Sequence, residues 1–211
     1  MENLATLFGG QAKVKLMRLF LFNTDDVFFL SQIVNRTKTA EKQIKADLLN
    51  LEKADMIRKK PVSHIIETKV RDKIKEVKKK EIGWFLNKDY AYLSAMRNLL
   101  VGSQLIKNEA ILKRLSGAGK LKLVIVAGVF IQDWSSRVDM LIVGENLKTK
   151  TLENIIRDIE AEIGKELSYT YFDLADFKYR LSVCDKLVRD ILDYPHQVVL
   201  DKTEEKKNER V

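Results

Sequence analysis

The side chains best suited to binding chemistry in this sequence lie close together between residues 38 and 45. Five of them carry positive charge or hydrogen-bonding groups, namely Lys38, Thr39, Lys42, Gln43 and Lys45. Lysine ammonium groups bind phosphate oxygens, and a glutamine amide both donates and accepts at a base edge. These residue types predict contact with a nucleic acid, with the lysines on phosphates and Gln43 on a base.

A predicted amphipathic helix positions these side chains. Ile44, Leu48 and Leu51 recur at spacings of four and three, so they form one apolar stripe, and the lysines fall off that stripe. Thr39 stands where the N-cap is expected, and Glu41 in the first turn complements the helix dipole. An ordinary amphipathic helix whose lysines only keep it soluble would show the same pattern. The neighbouring segments are therefore needed to distinguish a DNA-binding helix from an ordinary one.

The segments around this helix follow the order of a winged helix-turn-helix. A first helix is predicted over Gln11–Phe22, a short strand over residues 27–29, and a second helix over residues 32–36. Strand-like residues 56–58 follow the basic helix, and Asp55 stands where a left-handed residue would end it. In this fold the helix after the turn lies in the DNA major groove.

Residues 58–81 are strongly basic, with ten Lys and Arg against four Asp and Glu. They are predicted as an enlarged wing, with a strand over residues 64–70, a long basic loop over 71–80 and a return strand over 82–86. The wing residues expected to contact phosphates are Lys69, Arg71 and Lys73. Apolar residues spaced like a helix run through the same stretch, and a lysine run is often only a solvated loop; we favour the hairpin.

The net charge of +8 is distributed unevenly along the 211 residues. Residues 1–112 contain 21 Lys and Arg against 13 Asp and Glu, whereas residues 113–211 contain 17 of each. The excess charge therefore belongs to the part with the basic helix, which suggests a polyanion-binding domain joined to a second domain. A membrane surface also attracts positive charge, but these lysines lack the broad apolar face of an interfacial helix.

Several classes of protein do not suit this composition. The single Cys184 excludes an internal disulfide, and with the distant His64 and His196 it gives no zinc-ligand spacing, so we expect no metal and no cofactor. The longest apolar run, residues 121–131, is too short to span a bilayer, and the start lacks the basic region of a signal peptide. We expect a cytoplasmic protein without a membrane partner, with Cys184 on an apolar helix face in the core.

The second part of the chain is predicted as an α/β domain. After a helical segment over residues 90–115 with a break at Gly102, the predicted elements are strands 122–128 and 138–143, helix 152–167, strand 169–172, helix 176–192 and strand 197–200. The polar loop between the first two strands carries Trp134, which marks either a ligand or partner surface or a local hydrophobic lid.

The first strand, loop and second strand of this part resemble the minimal nucleotidyltransferase domain. That family has a hydrophobic residue, Gly, then Gly or Ser, and about nine to thirteen residues later Asp, a hydrophobic residue and Asp or Glu. Here Ala127-Gly128-Val129 is followed, nine residues later, by Asp139-Met140-Leu141. The stretch from Tyr171-Phe172-Asp173 through Arg180 to residues 195–200 also resembles the end of that domain. The resemblance covers residues 113–202, while residues 8–60 and 82–112 resemble the winged-helix part of regulators that carry such a domain.

One substitution limits the activity that the resemblance implies. Nucleotidyl transfer needs two or three carboxylates that hold divalent metals against a triphosphate. Asp139 matches the first carboxylate, Leu141 replaces the second, and Asp173 lies near the third. Val129 also replaces the small residue of the motif. We expect a degenerate site of Gly128, Asp139 and Asp173 without metal or catalysis, in which Asp139 is either a remnant ligand or a structural aspartate bonded to loop serines.

The expected fold class is α+β. It comprises an N-terminal winged helix-turn-helix in residues 1–89, a helical connector in residues 90–116, a nucleotidyltransferase-like α/β domain in residues 117–202 and a disordered tail in residues 203–211. The expected function is a transcriptional regulator that binds double-stranded DNA as a homodimer, with a second domain for assembly or for sensing a nucleotide ligand. A nucleotidyltransferase acting on nucleic acid or protein, and an RNA-binding or scaffold protein, remain the alternatives.

Overall fold

The computed structural model describes residues 2–70, 73–102 and 105–203, and between residues 64 and 79 it describes only the course of the strands. The chain is a mixed α+β protein with two sheets, which confirms the fold class at that level. It divides into two compact units. The first comprises the residues up to Val101 together with Ala161–Lys165, and the second comprises Gly102–Glu160 and the residues from Glu166 onward. The predicted tail lies outside the described residues from position 204.

The first unit contains helices and one antiparallel sheet. Its helices are α1 (Glu2–Phe8), α2 (Gln11–Phe22), α3 (Leu30–Thr37), α4 (Glu41–Lys53) and α5 (Leu93–Leu100). Its strands are β1 (Phe28–Phe29), β2 (Ile57–Val70) and β3 (Lys73–Leu86), in the order β1-β3-β2. The predicted helices over α2, α3 and α4 are confirmed, and so is the short strand before α3.

The predicted hairpin is confirmed, but its strands are longer than expected. β2 and β3 pair in unbroken antiparallel register from Ile57 opposite Leu86 to Val70 opposite Lys73. The alternative of a helix in this stretch is therefore wrong, because the residues that would form the helix are paired in β2 and β3. The expected loop over residues 71–80 is wrong from Lys73 onward, since those residues belong to β3, while Arg71 lies outside the described residues.

The core of the first unit forms around α2. Its residues from Leu16 to Leu21 are all buried, because α1, α3, α4 and α5 pack around it. The predicted α4 stripe of Ile44, Leu48 and Leu51 is buried and faces this core. Each large apolar side chain buried in this way contributes roughly 1.5–3 kcal/mol relative to exposure, so the stripe fixes which face of α4 points outward.

A buried arginine joins three segments of the first unit. Arg18 on α2 is 1% exposed, and its Nε donates to the Leu100 carbonyl at 2.9 Å. One terminal guanidinium nitrogen, Nη1, donates to the Glu162 carbonyl at 3.2 Å. Burial lowers the pKa of the guanidinium, and the charge of Glu162 opposes that shift. The two carbonyls provide the hydrogen bonds that a buried cation needs.

The second unit contains a four-stranded sheet covered by helices. Its helices are α6 (Asn108–Leu115), α7 (Thr149–Ile163, whose last residues belong to the first unit), α8 (Leu174–Ser182) and α9 (Lys186–Asp193). Its strands are β4 (Lys120–Val126), β5 (Met140–Glu145), β6 (Tyr169–Asp173) and β7 (Gln197–Asp201), in the order β6-β5-β4-β7. β5 and β6 are parallel, and the other two pairs are antiparallel. Every strand predicted in this part is present, but β4 ends at Val126 and not at Gly128, and β5 begins at Met140 and not at Val138.

The predicted helix over residues 176–192 is wrong in its middle. It is two helices, because Cys184 takes a left-handed conformation with φ 53° and the Asp185 carboxylate caps α9 through the N–H groups of Leu187 and Val188. Cys184 is consequently exposed, which corrects its expected place in the core. Leu181 just before the break is 47% exposed, whereas Val188 after it is buried.

Among the described helices, none combines the length and the apolar character needed to cross a membrane.

Candidate nucleic-acid interface

The junction between α3 and α4 differs in detail from the sequence expectation. Lys38 ends α3 in a left-handed conformation, with φ 49° and ψ 45°. The Thr39 hydroxyl then donates to the Thr37 carbonyl at 3.1 Å, so it is turned away from the first turn of α4. Ala40 is the N-cap, and its carbonyl accepts the first hydrogen bonds of α4. The expectation that Thr39 caps the helix is wrong, because its hydroxyl is bonded to Thr37 at the end of α3. The N-cap is Ala40, one residue later.

The outward face of α4 lies directly opposite its buried stripe. With about 100° of rotation per residue, positions 42, 46, 49 and 53 fall within about 60° of one another, and the buried positions 44, 48 and 51 point the other way. The side chains on this outward face are Lys42, Ala46, Leu49 and Lys53, and all four are exposed. We call these four residues the α4 face. Sequence reasoning missed Ala46 and Leu49. They could have been found, because they lie on the side of the predicted helix opposite the apolar stripe.

The lysines of α4 differ in their surroundings. Lys45, at the edge of the α4 face, forms an ion pair with Glu41 one turn earlier, with 2.6 Å between Nζ and Oε1. Lys42 contacts no carboxylate among the residues that the structure describes. Exposed i,i+4 ion pairs contribute only about 0.3–0.5 kcal/mol, so Lys45 can exchange its partner for a phosphate at little cost. Both ammonium groups are therefore accessible to an anion.

Gln43 lies on the flank of α4 and not on the α4 face. Its amide Nε2 donates to Asp47 Oδ2 at 3.0 Å, and the buried Asp47 also lies 3.8 Å from the ammonium of Lys13 on α2. A Gln–Asp pair at this spacing stabilises a helix. The structure thus gives the Gln43 side chain a partner, Asp47, within its own helix. This pair lies to one side of the α4 face.

Of the predicted wing residues, two lie in the hairpin. Lys69 is in β2, opposite Ile74, and Lys73 begins β3, while Arg71 lies outside the residues that the structure describes. At the base of the hairpin Lys59 pairs with Glu52 at the end of α4, with Nζ 3.0 Å from Oε1. The base of the hairpin therefore lies beside the C-terminal turn of α4.

Two further features hold the hairpin in place. Asp55 has φ 57°, as the sequence predicts, and its carbonyl accepts a hydrogen bond from the Asn87 side chain at 2.8 Å. Gly83 pairs with Phe29 of β1, and a Cβ there would lie 2.5 Å from the Val27 side chain. Any larger residue at 83 would force the Val27 side chain, just before β1, to shift. Together these contacts order the end of α4 and the start of the hairpin.

In the second unit, the resemblance places Gly128 and Asp139 together, and the structure brings them into contact. Gly128 has φ 52°, and a Cβ on it would lie 2.2 Å from Asp139 Oδ1. Asp139 is 5% exposed and accepts from the Val129 N–H at 2.8 Å and from the Ser168 N–H at 2.9 Å. The carboxylate therefore joins the loop after β4 to the segment before β6, as the structural alternative for Asp139 implies.

The other two motif positions lie elsewhere. Leu141 is fully buried in the core of the second unit. Asp173 is exposed at the end of β6 opposite Gly144, five residues beyond Ser168, which bonds to Asp139. Five strand residues span about 16 Å, so Asp173 does not join the Gly128–Asp139 contact. Within the described residues, no group of three or more His, Cys, Asp or Glu side chains is arranged to hold a metal ion.

Around the same loop, Trp134 is 59% exposed. A cavity of about 210 Å³ is lined by Ser135 and Ser136 of this loop and by Arg137, Asp190 and Tyr194 among others, and Arg137 and Asp190 form an ion pair at 3.0 Å. Since its charged groups already pair with each other, the cavity offers little to a charged ligand.

Comparisons of the chain with protein-family models, with curated proteins and with solved structures find no match in any of the three.

Proposed function

We propose that this chain is a transcriptional regulator that binds double-stranded DNA through a winged helix-turn-helix. In this proposal α4 enters the major groove, the β2–β3 hairpin lies along the phosphates, and the second unit is a degenerate nucleotidyltransferase-like domain. The observation that carries the proposal is the α4 face, which presents two lysines outward from a helix whose opposite side is fixed in the core.

The order of elements supports this arrangement. α2, β1, α3, a short turn, α4 and the β2–β3 hairpin follow one another in the first unit, as in a winged helix-turn-helix. α4 has 13 residues, which is about 20 Å of helix. A helix with its side chains is about 10–12 Å across, and the major groove of B-DNA is about 12 Å wide. The outward side of α4 therefore has the size that this groove admits.

Charge supports DNA as the partner. The lysines of the α4 face and the ten Lys and Arg of residues 58–81 belong to the part of the chain that carries the whole net charge of +8. Each phosphate that a protein neutralises releases counterions, and this release drives binding at low salt. The 14-residue strands of the hairpin extend over about 45 Å, which is long enough to follow several phosphates.

The second unit supports a binding role better than a catalytic one. Its β4–loop–β5 arrangement and mixed sheet suit a nucleotidyltransferase-like domain, but Leu141 fills the core where a second carboxylate would be needed. The Asp139 carboxylate is engaged by two backbone N–H groups. We propose that this unit serves assembly of a homodimer or senses a nucleotide ligand.

A mobility-shift experiment tests the DNA-binding proposal. The full chain is first selected against a random duplex library, and the recovered duplex is then compared with a structured RNA of equal length. We expect the duplex to be bound at least tenfold more tightly than the RNA. Equal or tighter binding of the RNA, or no enrichment of any duplex, would replace this proposal with the RNA-binding or scaffold alternative.

A labelling experiment tests the enzymatic alternative. Incubation of the full chain with labelled nucleoside triphosphates and magnesium or manganese is expected to label neither the protein nor added nucleic acid, because a single carboxylate cannot hold a metal pair. Transfer of label that a folded Asp139→Asn variant no longer supports would establish the enzyme instead.

A further inference from the structure

The α4 face is not uniformly basic, and its centre is apolar. Leu49 is 55% exposed and lies between Lys42 and Lys53 along the axis of α4, with Ala46 one turn before it. Lys42 and Lys53 are eleven residues apart, which is about 16 Å along a helix. The two cations thus bracket an apolar patch made of one leucine side chain and one alanine methyl group.

Packing within the first unit does not account for Leu49. The contacts that hold α4 in the core come from Ile44, Leu48 and Leu51, which are buried on the opposite side. Exposed leucines are common on protein surfaces, so exposure by itself carries no inference. The position of Leu49 does support an inference, because Leu49 lies at the centre of the surface that enters the major groove in the proposed function.

The major groove offers one apolar group to such a side chain. The base edges there present hydrogen-bond donors and acceptors, and thymine alone adds a C5-methyl group. A leucine placed against a guanine or cytosine edge would cover polar atoms without bonding to them, which is unfavourable. Ala46 adds a second methyl group and leaves room beside Leu49 for the neighbouring base.

Building on the proposed function, we propose that Leu49, with Ala46 beside it, contacts thymine C5-methyl groups and sets a preference for A·T pairs at the centre of the bound half-site. Lys42 and Lys53 bind phosphates on either side of these bases. Leu49 is then a specificity-determining residue, whereas the lysines supply affinity that does not depend on sequence.

Charge favours DNA over a protein partner for this patch. Lysine is depleted at protein–protein interfaces, and the core of such an interface is poor in charge. Here cations stand at both ends of the apolar pair, and Lys45 lies on its flank. This arrangement is complementary to DNA, where the apolar side chains would contact thymine methyl groups and the lysines would bind the phosphates on either side.

Replacing thymine by uracil in the selected duplex tests this contact, because the exchange removes the methyl group and nothing else. Affinities are measured for the full chain and for its Leu49→Ala variant with thymines replaced one at a time. The wild type should lose about fourfold at one or two central positions, the value of roughly one buried methyl group. Leu49→Ala should bind the thymine duplex about as weakly as the wild type binds the uracil duplex. It should show no difference between thymine and uracil at the position that Leu49 contacts.

Leu7→Ala is the matched control, since Leu7 is an exposed leucine of the first unit at 68% exposure, on α1. It should retain the wild-type difference between thymine and uracil. The Leu49→Ala fold is secure, because alanine has higher helix propensity and the side chain is not in the core.

The outcomes separate this inference from the function on which it rests. Binding that depends on Lys42 but tolerates uracil at every position, or a Leu49→Ala variant that keeps the full difference, would overturn the inference and leave DNA binding intact. A selected site without central A·T pairs would overturn it too. If no duplex is enriched, the proposed function fails and the thymine contact fails with it.

Discussion

Two buried charged side chains, Arg18 and Asp139, each join distant segments by binding backbone atoms. Arg18 donates to two carbonyls, and Asp139 accepts from two N–H groups, one of them 29 residues away along the chain. Their partners could not be predicted from the sequence, because every residue offers the same backbone groups and only the fold selects among them. The sequence did indicate that Asp139 mattered, through its spacing from Gly128.

Replacing Arg18 should destabilise the first unit. Arg18→Met keeps an unbranched side chain of similar reach but leaves the carbonyls of Leu100 and Glu162 without these donors. Each buried group that loses its partner costs about 1–3 kcal/mol, so we expect a loss of about 2–5 kcal/mol in the free energy of unfolding, measured by urea denaturation. Arg97→Met, at an exposed position on α5, is the control and should change it by less than about 0.5 kcal/mol. Equal stability of the two variants would contradict the role given to Arg18.

Replacing Asp139 should destabilise the second unit. Asp139→Ala removes two hydrogen bonds to a charged acceptor, each contributing about 1.5–3 kcal/mol, and leaves the buried N–H group of Val129 without this acceptor. We expect a loss of about 3–6 kcal/mol in the free energy of unfolding on urea denaturation, against a small change for Asp133→Ala in the same loop. A stable Asp139→Ala variant would show that the carboxylate is held for binding and not for structure.

At the scale of elements, periodicity predicted most of the chain. The stripe of Ile44, Leu48 and Leu51 located α4, and the continuous apolar run of β4 located the first strand of the second unit. The failures were at junctions. Residues 181–188 continue an apolar helical pattern across the break between α8 and α9, because the break depends on a single left-handed residue and a single cap. The predicted N-cap at Thr39 failed for the same kind of reason, since the left-handed conformation of Lys38 decided where α4 begins.

The break between α8 and α9 should depend on Asp185. Its carboxylate Oδ1 accepts from the N–H groups of Leu187 at 3.1 Å and Val188 at 3.2 Å. Removing such a cap typically costs about 1 kcal/mol, so Asp185→Ala should lower the free energy of unfolding by about that amount. Asp193→Ala, at the exposed C-terminal end of α9, removes a carboxylate that does not cap the helix. If both variants lose the same stability, the cap does not hold this junction.

At the scale of the whole molecule, the uneven charge along the sequence divides the chain after residue 112, whereas the first compact unit of the structure runs to Val101. The assignment of Ala161–Lys165 to the first unit had no signal in the sequence, because nothing in five residues at the end of α7 indicates what they pack against. A fragment that stops near residue 115 lacks this segment and the Glu162 carbonyl that Arg18 binds. Tests of DNA binding therefore belong on the full chain.

The most direct test of DNA binding by α4 is a salt titration of the full chain on its selected duplex, with Lys42→Glu/Lys45→Glu compared with wild type. Neither side chain is in the core, so the double variant should fold. Its affinity should fall by at least about tenfold, and the slope of log affinity against log salt should become shallower by about 1.8, for two lost phosphate contacts at about 0.9 each. The matched control, Lys148→Glu/Lys150→Glu, reverses two exposed lysines of the second unit and should keep nearly the wild-type affinity and slope. A folded Lys42→Glu/Lys45→Glu variant with unchanged affinity and slope, or an equal loss in the control, would contradict the account.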